Sequence, residues 1–293
     1  MFLASYEMAG KTSWGAVDRE KNVIYDKSLI FDENAPDTLR DYIAGAGCDE
    51  FDKIDLSSLS GAIDIKHVTL LAPMPNPLRN VFCVGKNYLD HVKELSDYDI
   101  KQFSPDAELP IFFTKATTCV NAPYGDVSLH EGVTEQVDYE AELAVIIGKR
   151  GCNIKASEAY DYIFGYTVLN DFTARDLQKN HKQWLKGKSL DGYCPMGPWI
   201  ATRDEISDPQ ALNIASYVNG EVRQSSNTEL MIFKVARLIE DLSKGMTLLP
   251  GDVLATGTPS GVGAGFKPPR FLKKGDKVKV TVEAIGEIEN EIV

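Results

Sequence analysis

Residues 138–148 read DYEAELAVIIG. Leu143, Ala144, Val145, Ile146 and Ile147 run together and stop at Gly148, which is the pattern of a buried strand. Glu140 and Glu142 stand at its entrance, one residue apart, and side chains at i and i+2 of a strand share a face. Two like charges side by side at the edge of an apolar segment repel each other. The chain must either solvate them or supply a counter-charge.

An isolated E-x-E pair fits a solvated edge. Three features point the other way. The strand is too apolar for the surface, Asp138 adds an acid nearby, and a second apolar strand, GYTVLN (165–170), ends in Asp171 just before TARDLQKNH. Glu140, Glu142 and Asp171 would form a hard, oxygen-rich set suited to Mg²⁺ or Mn²⁺. A divalent cation would also cancel the repulsion.

Strand signals continue on both sides. NVFCVG, PIFFTK, NIASYVNGEV, DVLATG and DKVKVTVEAIGEIENEIV are rich in Val, Ile, Phe, Tyr and Thr. Asn219-Gly220 between two such runs predicts a hairpin. Helices are expected near 87–95, 156–163, 173–181 and 229–244. The strands lack the regular strand–helix alternation of a doubly wound sheet. Residues 1–75 carry three short strands (FLASYEM, TSWGAVD, NVIYD) and a helix, DTLRDYIAG, with Asp37 as its expected N-cap. The proline-bearing LLAPMPNPLRN (70–80) reads as the entry into a second unit. The expectation is an α+β, mostly β chain with a small N-terminal domain over 1–75 and a larger β domain with peripheral helices over 76–293. There is no internal repeat and no low-complexity tract.

Net charge is −12, from 31 basic and 43 acidic residues. An acidic surface repels phosphate backbones, which excludes nucleic acid as the main partner. An anionic ligand would need local cations or a metal. The five cysteines form no C-x-x-C pair, which fits reduced thiols and a cytoplasmic location. No signal peptide is apparent and no apolar run approaches the length of a membrane span.

VGKNYLDHVKEL (84–95) places His91 and Glu94 three apart on an expected helix, on one face. A carboxylate bonded to an imidazole fixes its tautomer and raises its basicity, as a general base requires. A surface ion pair is the other reading of the same spacing. Lys115 ends PIFFTK, Lys188 lies in WLKGKSLDG and Arg175 follows Asp171. Beside the acidic strands, Lys115 and Lys188 could partner a substrate carboxylate or the acids themselves. ATGTPSGVGAGF (255–266) lacks the GK[ST] of a phosphate loop and no helix follows, which rejects nucleotide binding. Its N–H groups and the Thr258 hydroxyl could hold a carboxylate, or the segment could be a tight turn.

Together, VGKNYLDHVKEL, PIFFTK, DYEAELAVIIG, GYTVLNDFTARDLQ, GKSLDGYCPMGPWI and GDVLATGTPSGVG, in that order over about residues 78–293, resemble the fumarylacetoacetate hydrolase family. The nearest likeness is to a bacterial branch with an extra small N-terminal domain that includes oxaloacetate decarboxylases. The resemblance implies a β-sandwich roll, usually homodimeric, binding Mg²⁺ or Mn²⁺ through Glu140, Glu142 and Asp171. It implies catalytic roles for His91, Glu94 and Lys188, and substrate contacts at Gln178, Gly257 and Thr258, beside Lys115 and Arg175. The polar stretch 96–110 would be a lid. The activity expected is C–C cleavage in a small anionic 2-keto acid through a metal-bound enolate, first of all oxaloacetate decarboxylation. Alternatives are hydrolysis of an acylpyruvate or fumarylacetoacetate type of substrate, and isomerisation of a 2-hydroxyhepta-2,4-diene-1,7-dioate or 5-carboxymethyl-2-hydroxymuconate type. A non-catalytic binding or scaffold protein that keeps the fold is a further alternative.

Overall fold

The strand-rich composition produces one long mixed sheet. A computed structural model describes residues 1–31, 35–46, 55–95 and 109–293. Its main sheet runs Ile63–Asp64, Val23–Asp26, Lys11–Asp18, Phe2–Met8, Cys194–Thr202, Ile163–Asn170, Ala141–Ile147, Val253–Ala255, Val81–Gly85 and Ile111–Lys115. Neighbours along this path are antiparallel except Val253–Ala255 against Val81–Gly85. The first segment joins the second through Phe2–Met8, which pairs with Cys194–Thr202 (Phe2 opposite Ala201, Leu3 opposite Ile200).

A four-stranded antiparallel sheet, Glu221–Asn227, Asn213–Val218, Lys277–Val282 and Gly286–Glu291, covers one face of the long sheet. Leu143, Val145 and Ile147 pack there with Ile214, Val280, Val282 and Ile288. The alternate residues Ala144 and Ile146 pack on the other side with Trp14, Leu39, Tyr42, Val81 and Phe164. Both faces are buried, which explains the unbroken apolar run. Asn219 and Gly220 take φ of 52° and 80°, the doubly positive turn expected of Asn-Gly.

Several elements differ from expectation. The helix Leu39–Ala46 is capped by Thr38, not Asp37. The Thr38 hydroxyl oxygen accepts from Asp41 N, and its proton goes to the Asp41 carboxylate. Residues 156–162 form a 3₁₀ helix, not an α-helix. The helix expected over 229–244 is confined to Val235–Ser243. Its intended start is interrupted because Ile232 N and Phe233 N donate to the Asn87 carbonyl and side chain instead. Thr173–Ala174 is a short strand paired with Val137–Asp138, and the helix begins only at Arg175. Of the expected lid, residues 96–108 lie outside the described residues. No helix among the described residues is long and apolar enough to cross a membrane.

Candidate active site

Glu140 immediately precedes the central strand Ala141–Ile147, Glu142 lies within it, and Asp171 follows the neighbouring strand. Asp171 N donates to Glu140 O at 2.9 Å, so the antiparallel pairing itself brings the three acids together. One carboxylate oxygen from each lies within 4.8 Å of the others, and all three are buried. Lys188 Nζ donates to Glu140 Oε2 at 2.6 Å and Asp171 Oδ2 at 2.7 Å. Arg175 Nη2 lies 2.8 Å from Glu140 Oε1. Burial opposes ionisation of Glu140, but Lys188, then Arg175 and His91, outweigh it and hold its carboxyl at about 2.

Glu142 is treated differently. Its recorded protein donor is the Gly257 N–H, at 2.8 Å. Burial, then the charges of Asp171 and Glu140, push its carboxyl well above the usual carboxylate range. Two acids of the set are thus neutralised by lysine and the third is not. An all-oxygen set with one uncompensated carboxylate fits a hard divalent cation, and Glu140, Glu142 and Asp171 are the residues that would hold it.

The helix Leu89–Leu95 presents His91 to the same cavity. His91 Nδ1 lies 2.8 Å from Glu94 Oε1, and Glu94 Oε2 accepts the Gly261 N–H at 2.8 Å. A carboxylate on Nδ1 assigns the ring proton there and leaves Nε2 as the basic atom. The cavity is about 220 Å³ and is lined by His91, Glu140, Glu142, Arg175, Gln178, Lys188 and Thr258, with Lys86 and Lys179. Leu95, Phe113 and Trp184 complete the wall. The Phe113 and Trp184 rings meet edge-on at 5.2 Å. Gly85 makes room for Trp184; a Cβ there would stand 2.2 Å from its ring.

Two expected substrate contacts are placed elsewhere. Lys115 does not line the cavity: it is fully buried, with Nζ on Asp171 Oδ1 at 2.6 Å and on the Phe172 carbonyl at 3.1 Å. Its charge is needed to offset Asp171 from beneath. Gly257 directs its N–H at Glu142. The glycine loop does hold carboxylates, and they are the protein's own. Gly257 serves Glu142, Gly261 serves Glu94, and Gly263 and Ala264 serve Asp138 at 2.6 and 3.0 Å. Asp138 in turn accepts from Arg175 Nε at 2.8 Å. Trp184, Lys86 and Lys179 were not singled out from sequence. The basic-aromatic run KNHKQW between two recognisable blocks was the available signal for two of them.

This geometry defines a small, cation-ready pocket with a histidine–glutamate pair at its wall. Residues 80–293 match the family model described as fumarylacetoacetate hydrolase, C-terminal. The chain belongs to the fumarylacetoacetate hydrolase family. It is 52% identical to the oxaloacetate tautomerase YisK of Bacillus subtilis (strain 168) over 229 residues, covering 78% of this chain and 74% of that protein. Among solved structures, the fumarylacetoacetate hydrolase of the psychrophilic Exiguobacterium antarcticum is 41% identical with a TM-score of 0.87, covering 100% of this chain and 99% of that one. A 2-hydroxyhepta-2,4-diene-1,7-dioate isomerase from Mycobacterium marinum is 30% identical with a TM-score of 0.75, covering 100% and 98%. The chain is thus an enzyme of a family whose named members include hydrolases, isomerases and a tautomerase.

Proposed function

We propose that this enzyme interconverts the keto and enol forms of a small 2-keto dicarboxylate of the oxaloacetate class. The observation that carries the reading is the placement of His91 with Glu140 and Glu142, two of the three clustered acids, on one 220 Å³ cavity. A divalent cation held by Glu140, Glu142 and Asp171 would supply Lewis-acid polarisation of the 2-keto group, which acidifies the neighbouring C–H bonds. His91 Nε2 removes a proton from C3, and the Glu94 carboxylate stabilises the imidazolium that results. The same nitrogen returns the proton to the enol oxygen. Arg175, Lys188 and Gln178 provide cationic and hydrogen-bonding edges for the substrate carboxylates.

The base favours tautomerisation over the decarboxylation expected from sequence. Loss of CO₂ generates the enolate unaided and needs no proton acceptor, whereas moving a proton between C3 and O2 does. The similarity to an oxaloacetate tautomerase supports the same choice. The test follows the ultraviolet absorbance of enol-oxaloacetate beside pyruvate release, with Mn²⁺ and with chelator. Faster enol loss without matching pyruvate is the expected result. Pyruvate formed in step with enol loss would establish decarboxylation, and no acceleration of either would remove the proposal.

A further inference from the structure

Gln224 lies on the strand Glu221–Asn227 of the smaller sheet, outside the cavity lining, and is 1% exposed. Its amide makes four hydrogen bonds. Oε1 accepts from Ala141 N at 3.0 Å and from the Ser216 hydroxyl at 2.8 Å. Nε2 donates to Thr258 Oγ1 and to the Pro259 carbonyl, both at 2.7 Å. The amide orientation is chemically fixed, because a backbone N–H can only donate and a carbonyl can only accept. One side chain therefore bolts the glycine loop to the point of the central strand that lies between Glu140 and Glu142.

The polarity has a consequence for Thr258. Its oxygen already accepts a proton from Gln224, so its own hydroxyl hydrogen must be directed to another acceptor. Among the described residues no protein acceptor takes it. Thr258 is 3% exposed and lines the cavity. We infer that Gln224 is a positioning residue that fixes the Thr258 hydroxyl as a hydrogen-bond donor toward an anionic oxygen of the bound ligand. The inference rests on the proposed function only in taking that ligand to be an anion. An amide held the other way would turn Thr258 into an acceptor and repel the same oxygen.

The test is calorimetric binding of oxalate to the Mn²⁺-loaded protein, with circular dichroism as the check on folding. Thr258→Val should weaken oxalate about tenfold, as expected for one hydrogen bond to a charged group, while Thr258→Ser stays near wild type. Gln224→Glu keeps the length and removes both Nε2 donors. The Thr258 proton then turns to the new carboxylate, and binding should weaken about tenfold again. In the double variant the losses should not add, because both changes remove the same donor. KM for oxaloacetate should rise in Thr258→Val and in Gln224→Glu with little change in kcat. Additive losses in the double variant, or equal affinity in Thr258→Val and Thr258→Ser, would overturn the inference. Should Gln224→Glu not fold, Gln224→Met takes its place, and if neither folds the Thr258 pair decides. Oxalate binding without turnover of oxaloacetate would overturn the proposed reaction alone; no oxalate binding by the wild-type protein would overturn both.

Discussion

The Glu94 carboxylate accepts the backbone N–H of Gly261 at 2.8 Å while its other oxygen meets His91. The base and the loop that also grips Glu142 are therefore one assembly. Gly265 stands against it: a Cβ there would lie 2.4 Å from Glu94 Oε2. Gly265→Ala should push the carboxylate off His91 without touching the core. We expect kcat to fall about tenfold or more, since part of the general-base contribution of 10²–10⁴ is lost. The melting temperature should change little, and thermal melts beside steady-state kinetics check both halves.

Removing the base itself should cost more. His91→Ala should lower kcat about 10²–10³-fold while leaving Mn²⁺-induced thermal stabilisation intact. Glu94→Gln should also be strongly impaired, because an amide cannot accept from both His91 and Gly261 in the same geometry without turning an N–H toward one of them. Wash-in of deuterium at C3 of oxaloacetate in D₂O reads proton transfer directly. Wild-type exchange in His91→Ala would remove His91 from that role, and wild-type exchange in Glu94→Gln would remove Glu94 as its support.

Glu142 carries the uncompensated charge of the acid cluster. Its folded pKa is raised, so the folded state holds more protons than the unfolded one, and stability falls as pH rises above the ordinary glutamate value of about 4.3. In chelator, Glu142→Gln should therefore melt higher than wild type at neutral pH. With Mn²⁺ the order should reverse, because metal that binds only the folded state stabilises it by mass action and the variant has lost a ligand. Melts at several pH values, with and without Mn²⁺, give the answer. A variant stabilised by Mn²⁺ as strongly as wild type would contradict the assignment.

Asp26 shows the opposite sign. Burial works against its ionisation, but the hydroxyls of Ser13, Ser28 and Tyr6 outweigh it and hold the carboxyl below its usual range. Its contribution is present above the unfolded value of about 3.9 and is lost as pH falls through the lower folded value. Asp26→Asn should lower the melting temperature at neutral pH and leave a shallower decline in acid. An unchanged slope below pH 4 would show that Asp26 does not carry this dependence.

The central strand, the Glu140/Glu142 pair, the His91–Glu94 pair and the Asn219-Gly220 hairpin were readable because each depends on spacing along one segment. Alternation in a strand and the i, i+3 relation in a helix are local geometry. Lys115 stayed open between a substrate carboxylate and the acids because nothing in PIFFTK tells whether a terminal lysine points into a cavity or beneath it; its pairing with Asp171, 56 positions away, selects the acids. Asp138 was read only as an acid near the cluster. The two-residue pairing with Thr173–Ala174 breaks the strand before Ala141 and hands Asp138 to Arg175 and the loop. Gln224 was invisible because its four partners lie on other segments or across a bulged hairpin.

The pairing of Phe2–Met8 with Cys194–Thr202 bears on how this enzyme can be shortened. The family match begins at residue 80, which invites cutting the first 75 residues away. That cut would strip Leu3, Trp14, Leu39 and Tyr42 from the cluster they share with Phe164 and Ile200, and would uncap the backbone near Ile200 and Ala201. A raw strand edge beside an uncovered greasy surface is a template for stacking copies of itself. The expected product of such a truncation is a precipitate or a ladder of soluble aggregates on a sizing column, not a minimal catalyst.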